Sequence, residues 1–167
     1  MKTLFLSAIM ILSMQVTAQW EVTTSKDEMT GEVSSYCSSP STAPTKTMSF
    51  PYGDTKGWLG IGCDGESEWV YAGFTNEPNL QDTEIGDGYN SILTRIKFDD
   101  DIEEVHLIQT WNSKFLHFID DKDIIDRIME ANTILLEVKW YGEGSVYFRF
   151  DGGGAASAIT EIKESCQ

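Results

Sequence analysis

The chain has 167 residues, and 27 acidic against 12 basic side chains give it a formal net charge of −15. A charge of this size repels nucleic-acid phosphates and anionic lipid head groups, so both are poor partner candidates. Cations and basic protein surfaces fit it better. Acidic residues occur in nearly every segment, as is typical of a solvated acidic surface.

Residues 1–18 have the pattern of a secretory signal peptide. Lys2 supplies a positive start, Leu4 to Val16 is apolar, and Val16-Thr17-Ala18 is a small-residue cleavage site. We therefore expect cleavage after Ala18. The apolar run is shorter than the roughly 20 residues that span a bilayer, and no later stretch is apolar enough to do so.

Cleavage at this point predicts an exported protein, in the periplasm or the extracellular medium, with no membrane span after processing. The short leader, the small size and the lack of any Asn-x-Ser/Thr sequon favour a bacterial source. The residues leave the oligomeric state open.

The mature chain, residues 19–167, is predicted to be a single β-rich globular domain. Alternating apolar residues between turn signals predict strands at 20–24, 32–36, 58–63, 68–74, 91–98, 103–111, 133–141 and 145–151. Lys114 to Phe118 is predicted as a Phe-rich edge. A Ser/Thr/Pro loop at 38–57 carries three of the four prolines, and residues 75–90 form a second, acidic loop.

Two short helices are predicted towards the C-terminus. The first runs from Asp120 or Asp121, either of which can cap it, to about Ala131. The second covers 155–165 and turns Ala155, Ala158, Ile159 and Ile162 inward. No βαβ alternation occurs, so we expect a mainly antiparallel β fold of the α+β type, a sandwich or a partly open barrel.

Short motifs follow one another in a set order along most of the mature chain. They are Trp20 with the polar turn 25–30, a strand ending in Cys63, Glu68-Trp69-Val70-Tyr71, Arg95 with Lys97-Phe98-Asp99, Trp111-Asn112-Ser113, Val146 to Asp151, and Gly153-Gly154 before a helix ending at Cys166. This order resembles the small exported accessory proteins of type VI secretion loci, the VasI or TagO-like group, and related phage-encoded proteins. The resemblance implies a non-enzymatic accessory or interaction protein of the bacterial cell envelope, with a protein partner there.

Three cysteines in an oxidising compartment predict one structural disulfide and one remaining thiol. The family resemblance pairs Cys63 with Cys166. Cys37, expected at an exposed position beside the 38–57 loop, is left as a free thiol, as an alternative partner of Cys63, or as a link between chains. No Cys-x-x-Cys spacing is present that would indicate a metal site.

No motif for a nucleophile, a metalloprotease or a phosphate loop is present, so neither an enzyme nor a cofactor is predicted. His106 and His117 are the candidates for a small hydrolase, if either lines a pocket beside a carboxylate. Asp82, Glu84 and Asp87 are weak calcium candidates, because their loop could gather oxygens but lacks EF-hand spacing.

The five tryptophans, Trp20, Trp58, Trp69, Trp111 and Trp140, all fall in predicted strands or at their ends, where core packing is the default. Alternation places Trp140 on one face with Val138 and Leu136, which favours the core. If several tryptophans were exposed in a row, they could stack on sugar rings. A secreted glycan- or calcium-binding module is therefore the alternative function.

Overall fold

The computed structural model describes residues 19–166, so the predicted signal peptide at 1–18 lies outside the described residues. The elements in chain order are β1 (Glu21–Lys26), β2 (Val33–Ser38), β3 (Gly57–Cys63), β4 (Glu68–Phe74), β5 (Glu84–Ile85), β6 (Tyr89–Phe98), β7 (Asp101–Thr110), β8 (Phe115–Phe118), α1 (Asp121–Glu130), β9 (Thr133–Trp140), β10 (Gly144–Asp151) and α2 (Ala155–Ser165). Within 19–166, neither helix has the length and apolar character needed to cross a membrane.

All ten strands form one antiparallel sheet in the order β1-β2-β3-β4-β8-β7-β6-β9-β10, with the short β5 added beside β6. The predicted mainly antiparallel class is confirmed, and the sheet is open, so it is not a closed barrel. The segment predicted as an edge is instead central, since β8 pairs with β4 on one side and with β7 on the other. Its four residues therefore join the first half of the sheet, β1 to β4, to the second half, which consists of β7, β6, β9 and β10.

The two halves face each other across one hydrophobic core. Phe74 of β4 packs edge-to-face against Trp140 of β9 and Phe148 of β10, with ring centroids 5.9 and 5.1 Å apart. Trp140, Val138 and Leu136 are fully buried, which confirms the predicted core face of β9. The arrangement is sandwich-like, with inward faces apolar and outward faces in contact with solvent.

The 38–57 loop bridges the two halves at one side. Thr42 forms an isolated bridge with Gly57 at the start of β3, and Pro44 forms another with Phe148 of β10. Met48 of the same loop is buried in the core. The segment lies between β2, which ends at Ser38, and β3, which begins at Gly57.

Both helices cover the inward side of the first half of the sheet. Helix α2 has the predicted bounds and buries the predicted residues, Ala155, Ala158, Ile159 and Ile162, against β1, β2 and β3. Helix α1 buries Ile124, Ile125 and Ile128 and packs on β4.

The predicted side-chain cap of α1 is wrong. Asp120 occupies the N-cap position without a capping hydrogen bond from its side chain. The Asp121 carboxylate instead accepts a 2.8 Å hydrogen bond from the Val70 backbone N–H. This bond ties the helix to β4, and partial burial raises the pKa of Asp121 although the bond itself lowers it.

The cysteines staple the sheet to the last helix. Cys63 at the end of β3 and Cys166 after α2 form a disulfide across 103 positions, as the resemblance implies. Cys37 is free and only 1% exposed, so the expectation of an exposed thiol is wrong. It lies on the inward face of β2 beneath α2, and burial raises its pKa to about 12.

Candidate functional site

An aromatic surface occupies the outward face of the first half of the sheet, on β3 and β4. Alternation along each strand places Trp58, Gly60 and Gly62 of β3 and Trp69, Tyr71 and Gly73 of β4 on this face. The hairpin register pairs Trp69 with Gly62, Tyr71 with Gly60, and Trp58 with Gly73. Each aromatic residue therefore faces a glycine on the neighbouring strand.

The three rings lie flat over their partner glycines. A Cβ atom built at any of these glycines would come closer than 3.0 Å to three atoms of the facing aromatic side chain, so each glycine is covered by a ring face. The glycines are buried for this reason, whereas the rings are half-buried, with one face against the backbone. A side chain at any of these glycines would lift its ring away.

We call Trp69, Tyr71 and Trp58 the aromatic strip, because they follow one another along the β3–β4 pair. Successive rings are two residues apart along the strands, a spacing of about 7 Å at the usual strand rise. The strip is thus a row of three ring faces, about 14 Å long, aligned with the strands.

Two further rings stand upright at the sides of the strip. Tyr36 of β2 meets Trp69 at 69° with centroids 5.8 Å apart. Phe115 of β8 meets Tyr71 at 88° and 5.4 Å, and Trp58 at 83° and 6.2 Å. Edge-to-face contacts of this kind fix ring orientation, so the strip is a rigid floor between two raised sides.

Inside β2, β3, β4 and β8, the outward face around the strip carries no formal charge, although Glu21 of β1 lies opposite Ser38 and Lys56 directly precedes β3. The outward positions of β2, β3, β4 and β8 are Ser34, Tyr36, Ser38, Trp58, Gly60, Gly62, Trp69, Tyr71, Gly73, Phe115 and His117, none of which is Asp, Glu, Lys or Arg. In a chain with a net charge of −15, eleven such positions together are a marked local exception. His117 lies beside Tyr71, with ring centroids 5.9 Å apart.

The outward face of the second half is different, because it holds a polar cleft of about 370 Å³. The buried Glu137 carboxylate accepts hydrogen bonds from Arg95 Nε at 2.6 Å, Ser145 Oγ at 2.6 Å and the Tyr147 hydroxyl at 3.3 Å. These bonds lower the pKa of Glu137 to about 2, and the bond from Arg95 contributes most. Burial acts in the opposite direction and raises the pKa. The carboxylate is thus held ionised by its own partners.

The predicted hydrolase candidates lie apart from each other. His106 is exposed and lines the polar cleft with Arg95 and Glu137, whereas His117 flanks the aromatic strip on the first half of the sheet. Among residues 19–166, neither histidine forms a hydrogen bond to a carboxylate.

The calcium candidates are not gathered into one site. Asp82 and Glu84 line the polar cleft, where Asp82 pairs with Lys139 Nζ at 3.6 Å, but Asp87 is not part of that lining. In the part of the chain that the structure describes, no group of three or more His, Cys, Asp or Glu side chains is placed to hold a metal ion.

The five tryptophans divide between core and surface. Trp20 and Trp140 are buried, as core packing predicts, and Trp111 is 55% exposed in the turn after β7. Trp58 and Trp69 belong to the strip. Sequence reasoning considered a row of exposed tryptophans but did not locate one. The spacing Trp-x-Gly-x-Gly before the Asp64-Gly65 turn and Trp-x-Tyr-x-Gly after it could have indicated this surface once the hairpin register was written out.

Comparison with family models, with curated proteins and with solved structures finds no match to this chain. The resemblance to the type VI secretion accessory proteins therefore stays a prediction from the sequence. What the structure defines is a class of architecture: an open antiparallel sheet, folded on itself, with a disulfide-tethered C-terminal helix.

Proposed function

We propose that this protein is an exported, non-enzymatic binding protein of the bacterial cell envelope and that the aromatic strip holds its partner. The observation that carries the proposal is the row of three ring faces, each seated on a glycine. The role in type VI secretion that the family resemblance implies is one setting in which such a protein would act.

The glycines beneath the strip lower the stability of the fold. Their presence therefore supports a role for the strip other than stabilisation. Glycine inside a strand weakens it, because the backbone loses more entropy and no side chain packs, and three occur here on one face. Glycine in a strand is typical of places where another group approaches the backbone closely. Here that group is a ring, and the result is a flat, preformed surface.

The disulfide supports export, since such bonds form and persist in oxidising compartments. The polar cleft does not favour the alternative function of a small hydrolase. That alternative needs His106 or His117 beside a carboxylate, and among residues 19–166 neither histidine hydrogen-bonds to one, while the buried Glu137 is bonded to Arg95.

The proposal is tested by sedimenting the mature chain, residues 19–167, with washed bacterial envelopes. We expect wild-type protein in the pellet and the Trp58→Ala/Trp69→Ala variant in the supernatant. The matched control is Trp111→Ala, which removes an exposed tryptophan outside the strip. Far-UV circular dichroism and a thermal melt confirm that each variant is folded. Equal sedimentation of all three proteins, or of none, would overturn the proposal.

A further inference from the structure

We infer that the aromatic strip binds an uncharged glycan with extended, β-linked pyranose units, lying along β3 and β4. The inference rests on the proposed binding role of the strip and names the chemical class of its ligand. Three properties of the surface carry it: the flatness of the floor, the lack of charge, and the position within the sheet.

Flatness selects for a ligand with flat apolar faces. A ring face carries partial negative charge, so it attracts the C–H groups on the face of a pyranose, and stacking also removes apolar surface from water. Trp69, Tyr71 and Trp58 offer three such faces in a row. A β-linked chain presents one pyranose face after another at a regular interval, which matches a row better than a single pocket.

The lack of charge selects for a neutral ligand. The rest of this molecule suits cations or basic surfaces, yet the outward positions of β2, β3, β4 and β8 hold no carboxylate that would attract them. Anionic polymers are repelled by the net charge of −15. A neutral glycan needs no carboxylate to attract it and is not repelled by the net negative charge. The hydroxyls of Tyr36 and Ser38 lie on the same face as the strip, where they suit the hydroxyls at the edge of a sugar.

The position within the sheet disfavours an extended peptide. Peptides that add to a sheet need an edge strand with free backbone groups. Strands β3 and β4 are both interior, because β3 pairs with β2 and β4, and β4 pairs with β3 and β8. The strip therefore offers the faces of aromatic side chains rather than the backbone of an edge strand, which suits stacking on sugars.

The test is calorimetric titration of the mature chain with four hexasaccharides. Cellohexaose and chitohexaose are neutral and extended, maltohexaose is neutral but curved, and hexagalacturonate is anionic. We expect measurable binding of cellohexaose or chitohexaose, weaker binding of maltohexaose, and none of hexagalacturonate. Trp69→Ala should weaken binding by about tenfold or more, and Trp111→Ala should leave it unchanged. Trp69→Phe, which keeps a ring and protects the fold, should retain part of the affinity.

The inference fails if neither extended hexasaccharide binds at low-millimolar concentration, if hexagalacturonate binds as well as they do, or if Trp111→Ala loses as much affinity as Trp69→Ala. The sedimentation assay separates this failure from failure of the binding role. Strip-dependent sedimentation that chitohexaose and cellohexaose do not displace, and that protease treatment of the envelopes abolishes, would assign a protein partner. The proposed function would then stand and the glycan inference would not.

Discussion

At the scale of single residues, Glu137 shows how a buried charge is tolerated in this fold. Arg95 reaches it with two donors, Nε at 2.6 Å and Nη2 at 3.0 Å, and Ser145 and Tyr147 complete its hydrogen bonds. The guanidinium is half-exposed while the carboxylate is buried. The cost of burying the carboxylate is thereby offset by charge-assisted bonds.

The first prediction concerns the pH dependence that this network confers. The folded-state pKa of Glu137 is about 2 against an ordinary value of 4.5, so its stabilisation is complete above pH 4.5 and is lost as pH falls towards 2. The loss is up to about 3 kcal/mol of the free energy of unfolding. Urea unfolding at pH 7 and pH 2.5 should show this loss in wild type and a smaller one in Glu137→Gln. Glu104→Gln, an exposed neighbour on the same face, serves as the control and should behave as wild type.

Cys37 gives a second prediction at this scale. Burial raises its pKa to about 12, so the thiolate that reacts with alkylating reagents is scarce at pH 8. In the native protein, iodoacetamide should leave Cys37 unmodified, and in urea it should modify it fully. Mass spectrometry of the intact chain measures both states. Alkylation of the folded protein at the rate of a free cysteine would contradict the buried position.

At the scale of elements, two glycines lie in close contact with different kinds of group, one with a side chain and the other with the backbone. At Gly62 an added methyl would meet the ring of Trp69, which can swing outward. At Gly152, which follows β10, the methyl would meet the backbone carbonyl of Ala131, which cannot move without disturbing the end of α1. The two sites should therefore respond differently to the same substitution.

We expect Gly62→Ala to cost about 1 kcal/mol and Gly152→Ala about 3 kcal/mol. Denaturant unfolding gives both values. The tryptophan emission of the folded Gly62→Ala protein should also shift to longer wavelength, because Trp69 is lifted into water, and no comparable shift should accompany Gly152→Ala. Equal costs at the two sites, without a spectral shift, would mean that the ring does not lie on Gly62 as described.

The elements themselves were predicted with uneven success, for a physical reason. Helix α2 was predicted with both bounds correct, because its apolar stripe and the preceding glycines are local signals. Strand β8 was predicted as an edge, because four residues carry too short a pattern to show that both sides are paired. The capping role of Asp120 or Asp121 was wrong, since the Asp121 carboxylate has a tertiary partner in Val70.

At the scale of the whole molecule, the disulfide links the end of the third strand to the residue after the last helix. Cys63 and Cys166 close a loop of 103 positions, and on the chain-entropy model such a closure stabilises by about 4 to 5 kcal/mol. We expect urea unfolding with and without dithiothreitol to differ by that amount in wild type. The Cys63→Ser/Cys166→Ser variant should match reduced wild type and show no response to dithiothreitol. A reductant effect in the double variant would mean that another linkage is being measured.

The sequence by itself determined what depends on neighbours along the chain: the strand and helix segments, the core face of β9, the buried stripe of α2 and the excess of negative charge. These features follow from the periodicity and composition of short segments, which determine local structure whichever distant segments pack against them. The residues alone left the pairing of three cysteines open, and of the five tryptophans they assigned only Trp140 to one side, the core.

Tertiary structure decided those questions, because each depends on which distant segments meet. Cys37 is buried because α2 covers β2, and β8 is central because β4 and β7 reach it from opposite sides. The aromatic strip exists because one hairpin register places every ring opposite a glycine, and a shift of one residue would turn the rings to the other face. Composition supplied the tryptophans and glycines, and strand pairing made them a surface.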